Sequence, residues 1–196
     1  WQMKIERERV RETFREYTDA YDATDEKIKL KIDHTYRVAE LCERIAKAER
    51  MEKTEVDLAW LLGMLHDVGR FEQLRRYGTF SDADSIDHAA LGTDILFGGP
   101  LSAGKGLIRT YVDDAAEDEV IETAIRVHSA YRIPEGLVPR MEKLCHILRD
   151  ADKIDILRVN VDVPLEEIYN TTTEELRNAA VTQAVMESFY EHHATL

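Results

Sequence analysis

Apolar residues recur every three to four positions along almost the whole chain, and no stretch alternates apolar with polar as a half-buried strand does. That restricts the fold to helices packed on helices, an all-α bundle. A charged amphipathic helix is expected from Ile5 to about Asp22. A second runs from about Lys31 to Arg50, with Val38, Leu41, Cys42 and Ile45 on one face. Thr54 and Asp57 resemble a capping box ahead of a third, which buries Leu58, Leu61, Leu62 and Leu65 and ends near Gly69. Residues 77–87 read as a loop. Asp87 or Ser85 caps a short helix through Phe97, stopped by Gly98-Gly99-Pro100. Further helices are expected from Asp118 to about Tyr131, from Pro139 to about Val159, after Pro164, and from Thr172 through Glu191.

With 196 residues, no repeat and no linker, the chain suits one domain, 1–196. Its core spans about 30–160, and the C-terminal helices 164–191 are expected to pack on it. The last helix has an apolar face (Leu176, Ala180, Ala184, Phe189) that serves either the core or a homodimer; core packing is the preferred reading.

The net charge of −13 argues against a long nucleic acid as partner, because phosphate contacts need an excess of Lys and Arg. A small phosphorylated substrate is still compatible, since a metal and one or two basic groups override the global field locally. Cys42 and Cys145 lie among apolar neighbours and read as reduced core thiols. The longest apolar run, Leu58 to Leu65, is too short for a bilayer, and the chain is charged from Lys4 onward. The expectation is a cytoplasmic protein without a membrane partner.

Seven ionisable residues fall on apolar faces, six of them candidate donors. His66 and Asp67 are adjacent at the end of the Leu58–Leu65 run. His34 shares a face with Val38, Leu41 and Ile45. His88 shares one with Leu91, Gly92 and Ile95, and Gly92 leaves room for another backbone or a bound group. His128 aligns with Ile121, Ala124 and Ile125. Asp152 follows Cys145 and Leu148, and Asp155 comes one turn later. Each histidine alone reads as a satisfied core residue. Together, inward imidazoles and carboxylates are costly unless something compensates, and one shared cation compensates all of them. Nitrogen plus carboxylate donors suit Mn, Fe, Co, Ni or Zn better than Ca, and the expected divalent ion is one of these or Mg. Six donors exceed what one tetrahedral ion needs. Either Asp67 bridges a second ion, or His88 and His128 face substrate. In the catalytic reading His66 and Asp67 form the reactive centre, and Asp67 ligates with one oxygen while orienting or deprotonating the attacking water with the other. Arg70 and Lys153 are the basic residues best placed to hold phosphate, against the plainer reading of solvated surface charge.

At these residues the chain resembles the HD-domain superfamily of metal-dependent phosphohydrolases. The pattern is a His, an adjacent His-Asp and a distant Asp. Here it is His34, His66-Asp67 within Leu-His-Asp-Val-Gly, and Asp152 within Arg149-Asp-Ala-Asp-Lys-Ile-Asp155. The resemblance covers about residues 30–160. It implies a helical bundle around one or two divalent ions and hydrolysis of phosphate esters, often in nucleotides. It also implies that His88 and His128 stand where the two-metal subset has extra ligands. The subset that cleaves cyclic dinucleotides has a doubled histidine and a Gly-Tyr-Pro motif. Here His128-Ser-Ala-Tyr-Arg-Ile-Pro134 stands instead, so that activity is not assigned. Two other readings use the same residues: a diiron oxygenase, and a metal-containing module that binds a ligand without turnover.

Overall fold

The computed structural model describes residues 4–102, 104–164, 166, 168 and 171–193. Among these there is no strand. The helices are α1 (Arg7–Thr18), α2 (Glu26–Ala48), α3 (Lys53–Leu65), α4 (Val68–Tyr77), α5 (His88–Phe97), α6 (Ile108–Tyr111), α7 (Asp118–Val127), α8 (Pro139–Asp162), α9 (Thr173–Asn178) and α10 (Gln183–Tyr190). No helix is long and apolar enough to cross a membrane.

The centre is α3. Every residue from Leu58 to Leu65 is buried, which for a helix means neighbours on all sides. It packs most extensively on α2, and α8 lies against both. The approach of α2 and α3 depends on small residues. A Cβ at Gly63 would lie 2.5 Å from the Ala39 Cα, backbone against backbone. On the far side, Phe14 of α1 is fully buried and meets Tyr36 and Phe71 edge-on, with centroids 5.6 and 5.9 Å away. Cys42 and Cys145 are both buried free thiols, as expected.

Several local expectations are corrected. The helix through Leu58–Leu65 begins after Glu52, so Thr54 and Asp57 lie inside it rather than capping it. It does not run on to Gly69. It stops at Leu65, and α4 begins at Val68 with Asp67 as its N-cap. The apolar period continues through Val68 and Phe71, which hides this break from a pattern reading. Asp87 does cap α5, accepting from the amides of Ala89 and Ala90. Thr172 and Glu175 form the expected capping box, but the helix it starts ends at Asn178, and α10 is separate. The helix expected after Pro164 falls largely outside the described residues. No described residue of α9 or α10 is buried, and Phe189 is 70% exposed. The apolar face expected on the core is therefore open. The intervening break splits it into pieces of six and eight residues, too short to hold a continuous stripe on the bundle.

Candidate metal centre

The break between α3 and α4 is what allows adjacent residues to serve one centre. Neighbours in an unbroken helix point about 100° apart. Here His66 caps the end of α3 and Asp67 begins α4, and both side chains are buried, at 0% and 2% exposure. His34 comes from the middle of α2, His88 from the first position of α5, His128 from the end of α7 and Asp152 from α8. All six are 4% exposed or less. The structure brings every one of the expected donors together.

Asp67 stands between two groups of them. Its Oδ2 lies 3.6 Å from both the His34 and the His66 Nε2. Asp152 Oδ1 joins that side, 3.2 Å from His34 Nε2 and 3.8 Å from His66 Nε2. The other oxygen of Asp67, Oδ1, lies 3.6 Å from His88 Nε2 and 3.7 Å from His128 Nε2. The two sets are close enough for shared ligation: His34, His66 and Asp152 offer atoms within 4.8 Å of one another, as do His66, Asp67 and His128. Asp82, Asp87 and His88 also converge, but Asp87 is occupied capping α5 and Asp82 holds the outer nitrogen of His88.

The outward nitrogens settle the tautomers by the nature of their partners. His66 Nδ1 donates to the Gly63 carbonyl at 2.8 Å and His128 Nδ1 to the Ile125 carbonyl at 2.6 Å. His34 Nδ1 donates to Asp155 at 2.7 Å and His88 Nδ1 to Asp82 at 2.6 Å. These acceptors can only receive a proton, so each ring carries its hydrogen on Nδ1 and turns the Nε2 lone pair inward. Two such pairs face each other, His34 with His66 at 3.3 Å and His88 with His128 at 3.1 Å. Converging lone pairs and carboxylate oxygens in a buried space call for cations.

The protonation preferences agree. Burial pushes His66 down to about 3 and His88 down to about 4, which keeps both neutral and able to ligate at pH 7. Burial alone would raise Asp67, but Lys31, His66, His128 and Arg70 outweigh it and hold it well below the carboxylate range. Asp152 is also held low, by His34 and His66 against the opposing effect of burial. His34 differs: burial and Lys31 lower it, yet its hydrogen bonds to Asp152 and Asp155 prevail and raise it. A second proton and a metal ion compete for the same Nε2 of His34.

Three supporting residues were not assigned from the sequence. Lys31 pairs with Asp67 Oδ2 at 2.7 Å. Its signal is its position three residues before His34, on the same face of α2. Asp155, recognised as inward-facing but given no role, orients His34 and is itself held by Arg158 at 2.7 and 3.0 Å. Asp82 orients His88 and is anchored by Gln73 and Arg70. We expect Asp82→Ala and Asp155→Ala each to weaken metal binding by about 10–100-fold, because the ring they orient becomes free to turn. Titration with a chromophoric divalent ion checks this; unchanged affinity in both would remove them from the centre.

The two basic candidates part ways. Arg70 is fixed by hydrogen bonds to Gln73, the Phe80 carbonyl and Asp82. Its Nε is buried with no hydrogen-bond partner among the described residues, 3.7 Å from Asp67 Oδ1. Lys153 is half exposed and pairs with the outer oxygen of Asp152 at 2.8 Å. It does not line the cavity at the centre, a role that falls to Lys31. That cavity, about 680 Å³, opens onto His34 and runs between α2, α8 and the loop of Thr79 to Asp84. None of the described residues of 98–117 lines it; that side is built by the end of α8, which continues past Val159 to Asp162.

The family model for the HD domain matches residues 32–157, a span that holds all six donors. No curated protein and no solved structure matches the chain.

Proposed function

Because the chain belongs to the HD-domain family, we propose that it is a metal-dependent phosphohydrolase acting on a phosphate ester of a small metabolite or nucleotide. The observation that carries this reading is Asp67 standing between two sets of inward Nε2 donors, one with Asp152, beside a cavity that holds Lys31 and Arg70. His34, His66, Asp152 and Asp67 Oδ2 would hold one divalent ion, and His88, His128 and Asp67 Oδ1 a second. Ions held there supply Lewis acidity, making water a nucleophile near neutral pH and offsetting phosphoryl charge.

The chain's own groups do the rest. Lys31 and Arg70 present ammonium and guanidinium hydrogens to the phosphate oxygens. In the reaction a water oxygen bonds to phosphorus while the ester P–O bond breaks, and the proton that water loses ends on the departing alcohol. Both oxygens of Asp67 face donors, and His66 has its Nδ1 engaged and no exposed surface. Both residues therefore act by holding the ions, and Asp67 neither orients nor deprotonates the attacking water.

Elemental analysis of protein purified without added metal, followed by phosphate release from a panel of esters, tests this. About two ions per chain and chelator-sensitive phosphate release are expected. Saturating the stripped protein with Mn or Zn at about 100 times its dissociation constant should add about 2.7 kcal/mol of stability for each ion bound. The carboxylate-centred four-histidine set also favours a second reading, a diiron oxygenase. Iron as the dominant metal and dioxygen uptake without phosphate release would select it.

A further inference from the structure

We propose that the ester taken by this site is a monophosphate of an uncharged, apolar alcohol, a reading that rests on the phosphohydrolase assignment above. The cavity has two unlike ends. At one, Lys31 and Arg70 lie beside His34; these are the cations of its described lining. Both already face a carboxylate, Lys31 at Asp67 and Arg70 at Asp82, so little positive field is left over for more than one phosphate. Asp84 in the same lining would repel a second.

The other end is built by the two helices that supply donors. On α2, Leu30 stands one turn from His34. On α8, Ile156 stands one turn from Asp152, and Val159 follows on the same face. One helical turn is about 5.4 Å. An ester whose phosphorus lies at the donors therefore places its first carbons against Leu30 and Ile156. Phe80 adds an aromatic wall beside the cations, its ring 5.3 Å from the Lys31 ammonium and 5.9 Å from the Arg70 guanidinium carbon.

The polar lining is largely turned on itself. Ser81 donates to Asp84 at 2.7 Å, and Asn160 donates to the Ile156 carbonyl at 2.8 Å. A substrate rich in hydroxyls would surrender water at the helix walls and find few partners, whereas an alkyl group gains from burial. The volume of about 680 Å³ is far larger than phosphate needs, so the organic group has room to be accommodated rather than left in solvent.

The test is phosphate release by the metal-loaded full chain from n-hexyl phosphate, glycerol 3-phosphate and inorganic pyrophosphate. The first two both lose a primary alcohol, so their intrinsic reactivities are matched. We expect kcat/KM for hexyl phosphate to exceed that for glycerol 3-phosphate by about tenfold or more. Leu30→Asn and Ile156→Asn should each reduce that ratio by about tenfold. Equal rates, a preference for pyrophosphate, or a ratio unmoved in both variants would overturn the inference and leave the phosphohydrolase reading standing. If no ester releases phosphate, that broader reading falls. Calorimetric binding then decides the cavity's preference: tighter binding of hexyl phosphate supports it, and equal or weaker binding overturns it.

Discussion

Asp67→Asn should leave the protein folded, strip it of most of its metal, and lower kcat/KM for any ester it hydrolyses by roughly 10³-fold or more. Asn keeps the volume of Asp67 but replaces one anionic oxygen with an amide nitrogen that cannot ligate. Because Oδ1 and Oδ2 face different histidine pairs, the change removes a donor from one set and the charge from both. Transition-state stabilisation by such ions amounts to several kcal/mol, and about 1.4 kcal/mol is tenfold in rate. The remaining donors, four imidazole nitrogens, the surviving amide oxygen and Asp152, would hold an ion more weakly and face the uncompensated ammonium of Lys31. Metal content by mass spectrometry and kcat/KM should fall together. His88→Ala gives the contrast: it deletes a donor on one side only, so about one ion per chain should remain. If Asp67→Asn retained both ions, Asp67 would not be the bridge.

The helical architecture and five chain segments carrying the donors could be read from periodicity, because each donor sits on a face already marked by apolar neighbours. The family pattern His34, His66-Asp67, Asp152 was visible for the same reason. Residues whose partners are set by loop conformation or tertiary packing were not. Asp82 is one of several acids in a loop, and only its contact with His88, six residues on, with Gln73 anchoring it, distinguishes it from Asp84 or Asp87. Lys31 shares a helix face with His34, but nothing local says that Asp67 lies 2.7 Å away. From the sequence Lys153 is as good a candidate as Arg70, yet it points to the outer side of Asp152. The break at His66–Asp67 was invisible because the apolar period continues through it. Its cause is tertiary: α4 turns so as to meet α5.

That meeting gives the second large effect, at Gly69. A glycine shortly after an apolar run reads as a helix stop, yet Gly69 lies in the first turn of α4 with its backbone against the start of α5. A Cβ there would lie 2.1 Å from the His88 carbonyl oxygen and 2.6 Å from the Gly92 amide nitrogen. Both are backbone atoms, so no side-chain rotation relieves the clash. The helices would have to separate by roughly 1 Å to reach normal contact. Overpacking costs about 1–3 kcal/mol when side chains can adjust, and Gly69→Ala should reach or exceed the upper figure because they cannot. For a chain of this size that is a fall in Tm of roughly 6–12 °C. The displacement also carries His88 away from Asp67 Oδ1, so metal content should drop toward one ion per chain while the His34, His66 and Asp152 side persists. Gly92→Ala faces a milder contact, 3.1 Å to the Gly69 amide nitrogen, and should cost less. Gly104→Ala, with open space around it, should be near neutral. Equal Tm values and equal metal content across the three variants would show that the approach of α4 to α5 does not position the second half of the centre.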